Sequence, residues 1–225
     1  MIFSIEGNIG SGKSTLVEYL KNNLKCINDY NIIYLQEPVD VWNTIIDPKS
    51  GKNILEKYYS DQKKYAFSFQ MMAYITRLSQ IKKTIKENPK NTIIITERCL
   101  YTDYNIFAKM LHDSGNIEDI EYSIYCKWFN EFIESALISG FIYVKTTPET
   151  CLNRIHSRNR IGENIQLDYL TNCHNYHNNW LNYNYHTNDI NLLELDGGPL
   201  HSEILIDKIT EFIVNSLKNF KNDVI

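Results

Sequence analysis

The chain has 225 residues, 43% of them hydrophobic and 22% charged, with a formal net charge of −4. That length buries one sizeable core and is short for two, so a single domain over residues 1–225 is expected. The mild acidity lacks the electrostatic footprint of a polynucleotide binder, and no apolar run approaches the roughly 18 residues of a spanning helix, so neither nucleic acid nor a membrane is an expected partner.

Residues 2–15 read IFSIEGNIGSGKST. An apolar strand run meets a glycine-rich turn, and a lysine with two hydroxyls then opens a helical pattern through Leu16, Val17, Tyr19 and Leu20. Gly7, Asn8, Ile9, Gly10, Ser11, Gly12, Lys13, Ser14 and Thr15 contain G-x-x-x-x-G-K-[ST], the signature of a phosphate-binding loop. Glycine lets backbone N–H groups approach phosphate oxygens closely, and the helix that follows points its positive end at them. In this motif Lys13 reaches the β- and γ-phosphates and the Ser14 hydroxyl holds Mg²⁺.

After a helix over about 13–25, Asn31 to Glu37 reads as a second buried strand stopped by Pro38. Residues 53–88 carry helical spacing with a break near Ser60, and Asn88-Pro89 ends it. Thr92 to Glu97 is a β-branched run, the pattern of a parallel strand covered on both faces. Helices are predicted at 101–111 and 118–138 around the turn Asp113-Ser114-Gly115, then a strand over Phe141 to Lys145 and a helix opened by Pro148. A basic loop from Arg158 to Glu163, a helix over 166–185, a strand over Asn191 to Leu195 and a helix over 202–219 complete the chain. Strand alternates with helix, so the expected fold is α/β: a five-stranded parallel sheet with helices on both faces and a basic lid at about 154–165. The five cysteines are scattered without a metal-ligand spacing and read as reduced thiols of a cytoplasmic protein. With Ile2 already opening a strand, no signal or transit segment is expected.

Ligands of such sheets gather beyond the carboxyl ends of the strands. The rule gathers the phosphate loop, Glu37 and Glu97-Arg98 on one rim. Phosphoryl transfer needs a clamp on the γ-phosphate, a metal, a proton acceptor and positive charge. Glu37 is the candidate acceptor of an alcohol's proton, Arg98 a partner for it or for the acceptor oxygen, and Glu97 a carboxylate for a metal-bound water. Arg154 and Arg158 are four apart on one helix face, with Arg160 just beyond, and suit a lid over the γ-phosphate.

The runs GNIGSGKST, QEPVDVW, FSFQMMAYITR, TERCLYTDYNIFA, TPETCLNRIHSRNR and LDYL resemble, in order and spacing, the deoxyribonucleoside kinases. The resemblance covers nearly the whole chain. It implies a P-loop kinase fold, transfer of a γ-phosphate from ATP or another nucleoside triphosphate to a deoxynucleoside 5′-hydroxyl, Mg²⁺, a role in nucleotide salvage and a homodimer. By resemblance, Glu37 is the general base and Arg98 contacts it and the hydroxyl, while Glu97 is associated with Mg²⁺. Gln70 reads the base edge between Trp42, Phe69 and Phe107. Tyr59 and Glu163 hold the sugar 3′-hydroxyl, Arg158 and Arg160 meet the donor phosphates, and Arg154 lies near the donor base. The chain departs from the family pattern at Cys99, where a serine is usual, and in a lid one residue shorter between Arg160 and Leu167.

Arg77 lies two helical turns beyond Gln70, and Asp103 five residues beyond Arg98. Both match polar positions of the deoxycytidine and deoxyguanosine kinases, where thymidine-accepting relatives carry smaller or apolar residues. An Asp accepts only, so it favours an exocyclic amino group, and the pair fills space a thymine methyl needs. Deoxycytidine and purine deoxynucleosides are expected to exceed thymidine as substrates. Two other readings compete: a thymidylate-type nucleoside monophosphate kinase, whose phosphorylated acceptor Glu37 would repel, and a nucleotide-binding switch, which would leave Gln70, Trp42 and Phe107 idle. Ile120, Ile124, Trp128, Phe129 and Phe132 share helical spacing, a core pattern that the resemblance connects with dimer pairing.

Overall fold

The computed structural model describes residues 1–160, 163, 165–186 and 190–222. Its sheet has six strands rather than five, in the order β2-β3-β4-β1-β5-β6. β1 (Ile2–Glu6), β3 (Tyr30–Leu35), β4 (Thr92–Glu97), β5 (Gly140–Lys145) and β6 (Leu192–Asp196) are the expected parallel strands. The addition is β2 (Cys26–Ile27), an edge strand antiparallel to β3. Two residues are too few to show an alternation, and only Asn28, at φ 50 in the turn, hints at a hairpin. The second strand also stops at Leu35, so Glu37 lies two residues past it in a loop.

The central strands β1, β4 and β5 are buried on both faces, while β3 and β6 toward the edges are only partly covered. Phe3, Ile5, Ile93, Ile95, Ile142 and Val144 point to the side covered by α1 (Lys13–Asn23) and α10 (Glu203–Asn222). Ile2 and Ile94 meet Tyr74, Leu78 and Ile81 of α4 (Gln62–Glu87), with Tyr125 and Phe129 of α7 (Asp119–Phe132) behind them. On the same side Phe141 and Tyr143 pack on Trp180 and Leu181 of α9 (Leu167–His186).

The helical region over 53–88 divides where expected. α3 (Ile54–Ser60) opens on a capping box between Asn53 and Glu56, and Asp61 caps α4 by accepting the Lys64 N–H. α2 (Val39–Asn43) is a short helix after Pro38. The segment expected as one helix over 101–111 is three: α5 (Leu100–Thr102), a π-helical turn (Asp103–Ala108) and α6 (Lys109–Asp113). Likewise the helix expected to reach 138 ends at Phe132 and continues as a 3₁₀ turn (Ile133–Ala136). α8 (Pro148–Arg158) begins on a Thr147 cap with proline in its first turn. Of the expected lid, residues 161, 162 and 164 lie outside the described residues. No helix among the described residues is long and apolar enough to cross a membrane.

One buried titratable group ties the fold to pH. His177 of α9 is fully buried, with its ring parallel to Tyr143 at 6.0 Å. Nδ1 donates to the Cys173 carbonyl at 2.6 Å, while Nε2 has no partner among the described residues. Burial pushes the imidazole down to about 3, so the native state holds it neutral. The unfolded chain then binds the proton first as pH falls below about 6.5, and stability present at neutral pH is lost progressively toward pH 3. Urea unfolding at pH 7 and pH 4.5 is expected to show roughly 2–3 kcal/mol of loss from this group. In His177→Phe that increment should vanish, whatever the variant's stability at pH 7; an unchanged pH difference would show that His177 does not carry it.

Candidate active site

The loop between β1 and α1 is shaped by glycines that no other residue could replace without strain. Gly7 has φ 144, and a Cβ there would lie 2.6 Å from the Val144 carbonyl oxygen. Gly10 has φ 78, and its Cβ would lie 2.6 Å from the Cys151 carbonyl oxygen. Both obstacles are backbone, so neither can swing aside. The loop is braced by Asn8, whose side chain donates to the Leu170 carbonyl at 2.8 Å and accepts the Ile9 N–H. Arg154 fixes its far side by donating to the carbonyls of Ser11 at 2.9 Å and Gly197 at 2.7 Å. Ser11 Oγ is buried without a partner among the described residues.

Lys13 opens α1 almost fully buried, with Nζ on the Asn8 carbonyl at 2.7 Å. Burial, then the neighbouring Arg98, pushes the ammonium down to about 8, against the pull of Glu97, Glu37 and Glu6. Beside it, the exposed Ser14 hydroxyl donates to Glu97 Oε1 at 2.8 Å. No cluster of three or more His, Cys, Asp or Glu side chains that could hold a metal is found among the described residues. A hydroxyl and a single carboxylate nevertheless suit Mg²⁺, which takes few protein ligands when phosphates and water supply the rest.

The end of β4 bends sharply. Arg98 adopts a left-handed backbone at φ 60, which costs a non-glycine residue about 1 kcal/mol. Its N–H donates to Ile5 O at 3.0 Å, and its carbonyl accepts from Thr96 Oγ1 at 2.9 Å. Beneath the bend sits the fully buried Glu6, which accepts from Ser4, from Thr102 at 2.6 Å and from the Cys99 thiol at 3.2 Å. Cys99 is therefore a donor to a buried carboxylate, with burial and Glu6 pushing its thiol well up. The bend sends the Arg98 guanidinium back over Phe107, 5.1 Å from the ring centroid, and onto both oxygens of Glu37 at 2.9 and 3.1 Å.

Glu37 also accepts from Arg77 at 3.1 Å. Burial alone would raise its carboxyl, but Arg98, Arg77 and Lys13 together hold it well below the usual carboxylate range. Arg77 itself grips both oxygens of Asp103 at 3.0 and 3.3 Å and the Glu97 carbonyl at 2.8 Å. Burial pushes the Asp103 carboxyl up, and Arg77 opposes it.

These groups face a cavity of about 580 Å³, an ordinary size for a small-molecule site. Ile9, Gly10, Gly12, Lys13, Ser14, Thr15, Glu37, Trp42, Tyr59, Phe69, Gln70, Arg77, Glu97, Arg98, Asp103, Phe107, Arg154, Arg158, Arg160 and Glu163 all line it. Of the sequence-predicted residues, Gly7, Asn8 and Ser11 support the loop from outside this lining. Trp42 stands edge-on to Phe69 at 5.4 Å and donates its indole N–H to Thr76. Gln70 is buried and its Oε1 has no partner among the described residues. Glu163 is paired with Arg158 at 2.6 and 2.8 Å, so the two lid residues engage each other. Sequence reasoning missed Tyr58 and Tyr169. Their hydroxyls meet at 3.0 Å across the cavity lining, and the Tyr58 ring stacks on Phe69 at 4.6 Å. The doublet Tyr58-Tyr59 and the LDYL run were the available signals, but neither says which ring turns inward.

Residues 3–220 match the family model described as deoxynucleoside kinase. A probable deoxycytidine kinase of Fowlpox virus (strain NVSL) is 40% identical over 199 residues, covering 86% of this chain and 77% of the relative. The deoxycytidine kinase of Homo sapiens is 33% identical over 240 residues, covering 93% of this chain and 90% of the relative. The mitochondrial deoxyguanosine kinase of Xenopus laevis is 31% identical over 195 residues, covering 79% and 72%. With a phosphate-binding loop, a buried arginine–glutamate pair and an aromatic slot on one rim, and a family match along nearly its whole length, the chain belongs to the deoxynucleoside kinases, ATP-dependent phosphotransferases acting on deoxynucleosides.

Proposed function

We propose that one domain carries both substrates end to end in the rim cavity, and that Glu37 takes the proton of the nucleoside 5′-hydroxyl as that oxygen bonds to the γ-phosphorus of ATP. The observation that carries this reading is the doubly paired Glu37 carboxylate beside the P-loop lysine. The bond from the γ-phosphorus to the bridging oxygen breaks, leaving ADP and a nucleoside 5′-monophosphate. So acidic a carboxylate is a weak base, yet it suffices where the transition state is loose and the proton leaves late. Arg98 steadies Glu37 and the acceptor oxygen.

On the donor side, backbone N–H groups from Gly7 to Thr15 and the Lys13 ammonium cradle the phosphates, and Arg158 and Arg160 close over them. Ser14 and Glu97 are the residues that would hold Mg²⁺, which when bound supplies charge neutralisation between the phosphates. Arg154 braces the loop and lies toward the donor base. On the acceptor side, Trp42, Phe69 and Phe107 flank the base, and the unpaired Gln70 Oε1 calls for a donor from its edge. Tyr59 and Glu163 take the sugar 3′-hydroxyl, for which Glu163 must loosen its bond to Arg158. The charged pair Arg77–Asp103 favours deoxycytidine and purine deoxynucleosides over thymidine. A monophosphate acceptor is disfavoured, because Glu37 would face its charge.

The cytoplasm is the compartment we assign, in keeping with five free cysteines. A homodimer through α7 is the assembly we assign, because Ile120, Ile124 and Trp128, four apart, are 65%, 42% and 42% exposed on one face of that helix.

Initial rates with ATP and Mg²⁺ on the four common deoxynucleosides and on thymidine monophosphate test the first reading. Conversion of deoxynucleosides with thymidine poorest, and a loss of at least about 100-fold in kcat for Glu37→Gln, is expected. Activity confined to the monophosphate would replace the reading with its rival. For the assembly, light scattering at micromolar concentration should give twice the 26.5 kDa chain mass. Ile120→Glu with Trp128→Glu should halve it; a monomeric parent would dismiss the dimer.

A further inference from the structure

Glu37 does not present two equivalent oxygens. Oε1 accepts from Arg98 at 2.9 Å and from Arg77 at 3.1 Å, whereas Oε2 accepts from Arg98 alone at 3.1 Å among the described residues. A carboxylate oxygen has room for about two strong donors. Oε1 is therefore filled, and Oε2 keeps one position open for a hydroxyl.

The group that fills Oε1 also lines the cavity. Arg77, 1% exposed, spends one planar guanidinium on Glu37, on both oxygens of Asp103 and on the Glu97 carbonyl. The fork is rigid, so a shift toward Asp103 loosens its hold on Glu37, and the reverse. Asp103 and Gln70 both line the cavity. A base whose amino group donates to Asp103 competes for the oxygens that Arg77 holds, whereas a base with a carbonyl there does not.

We infer that Arg77 is a positioning residue for phosphoryl transfer: by holding Oε1 it aims Oε2 of Glu37 at the acceptor hydroxyl, and through its grip on Asp103 it makes the identity of the base felt in the rate of transfer as well as in affinity. The inference rests on the reading of Glu37 as the proton acceptor. A plain ion pair behind the pocket would have no bond to Glu37 and would act on binding alone.

The test is kcat and KM for deoxycytidine and thymidine, and the pH dependence of kcat/KM, in two variants whose folding is verified by thermal melting. Arg77→Lys keeps the charge but as a point donor that holds one carboxylate at a time. It should lower kcat for deoxycytidine about tenfold while KM moves less than about threefold. Arg77→Met with Asp103→Ala removes both charges together, so no buried carboxylate is left unpaired. In it the kcat ratio of deoxycytidine to thymidine should approach one. The groups left facing Glu37 are Lys13 of α1, Arg98 after β4 and Tyr59 of α3; the lost Arg77 bonded Glu37 directly whereas the lost Asp103 did not, so the acid limb of kcat/KM should move to higher pH. Variants that change KM alone, with kcat ratios and the acid limb as in the parent, would overturn the inference. Retention of kcat by Glu37→Gln in the otherwise unaltered chain would overturn the reading beneath it instead.

Discussion

A buried guanidinium cannot shed its proton, so it must be matched by carboxylates held in place around it. Two such groups, Arg77 and Arg98, sit side by side at the carboxyl end of β4, with Lys13 nearby. Against these three cations stand Glu6, Glu37, Glu97 and Asp103. Six parts of the rim contribute to this set: β1, α1, the loop after β3, α4, the end of β4 and the π turn. Removing one partner would strand a buried charge at a cost of about 3–5 kcal/mol, so the set constrains where those elements can lie. Stability alone would be served as well by apolar residues. The retention of so many charges in one place is better explained by a ligand that brings charge of its own.

Much of this was legible in the chain. Glycine at the tight approaches, the strand before and the helix after the P-loop, and the placement of Glu37 and Glu97-Arg98 beyond strand ends follow from local chemistry and one topological rule. The five parallel strands lie close to the expected residues, and most of the cavity lining is made of residues singled out from the sequence, whereas Gln36, Val39, Asp40, Asn43, Leu55 and Ala73 were not among them. What stayed hidden has physical reasons. β2 is too short for periodicity, and a π turn differs from an α turn by a single residue of register that no apolar spacing records. The bond from Arg77 to Glu37 spans 40 positions. Helical spacing placed Arg77 on the face of Gln70, but only the crossing of α4 over the sheet decides that its reach includes Glu37. Tyr58 and Tyr59 show the same limit, since both line the cavity from adjacent positions on α3.

The donor and acceptor halves of the cavity are joined at the lid as well as at Glu37. Arg158 carries charge suited to phosphate and Glu163 an acceptor suited to a sugar hydroxyl, yet in this structure they satisfy each other. Any ligand that takes one of them must compete with the other. An exposed pair would be weak competition, but the Glu163 side chain is only 4% exposed, which strengthens its hold on Arg158. On the proposed assignments, phosphate at Arg158 would free Glu163, and a hydroxyl at Glu163 would free Arg158. Linkage of this kind is reciprocal by necessity.

Two unusual backbone conformations fall in the short segment that carries much of the site. Between Glu97 and Ala108 the chain takes a left-handed arginine and a π turn, both costly and both rare outside functional sites. Within it Arg98, Asp103 and Phe107 face the cavity, while Tyr104 turns away to stack on Phe129 at 4.2 Å. An unstrained helix starting directly after β4 would distribute these side chains differently. What holds the strained path is the layer beneath: Glu6 gathers Ser4, Cys99 and Thr102, tying the start of the P-loop to the start of the bend. A thiol is a weaker donor than a hydroxyl, so Thr102 at 2.6 Å is the stronger tie. The phosphate loop and the Arg98 bend are thus two exits from one buried anchor, and their relative position, on which transfer between two substrates depends, is set by a residue that lies outside the cavity lining.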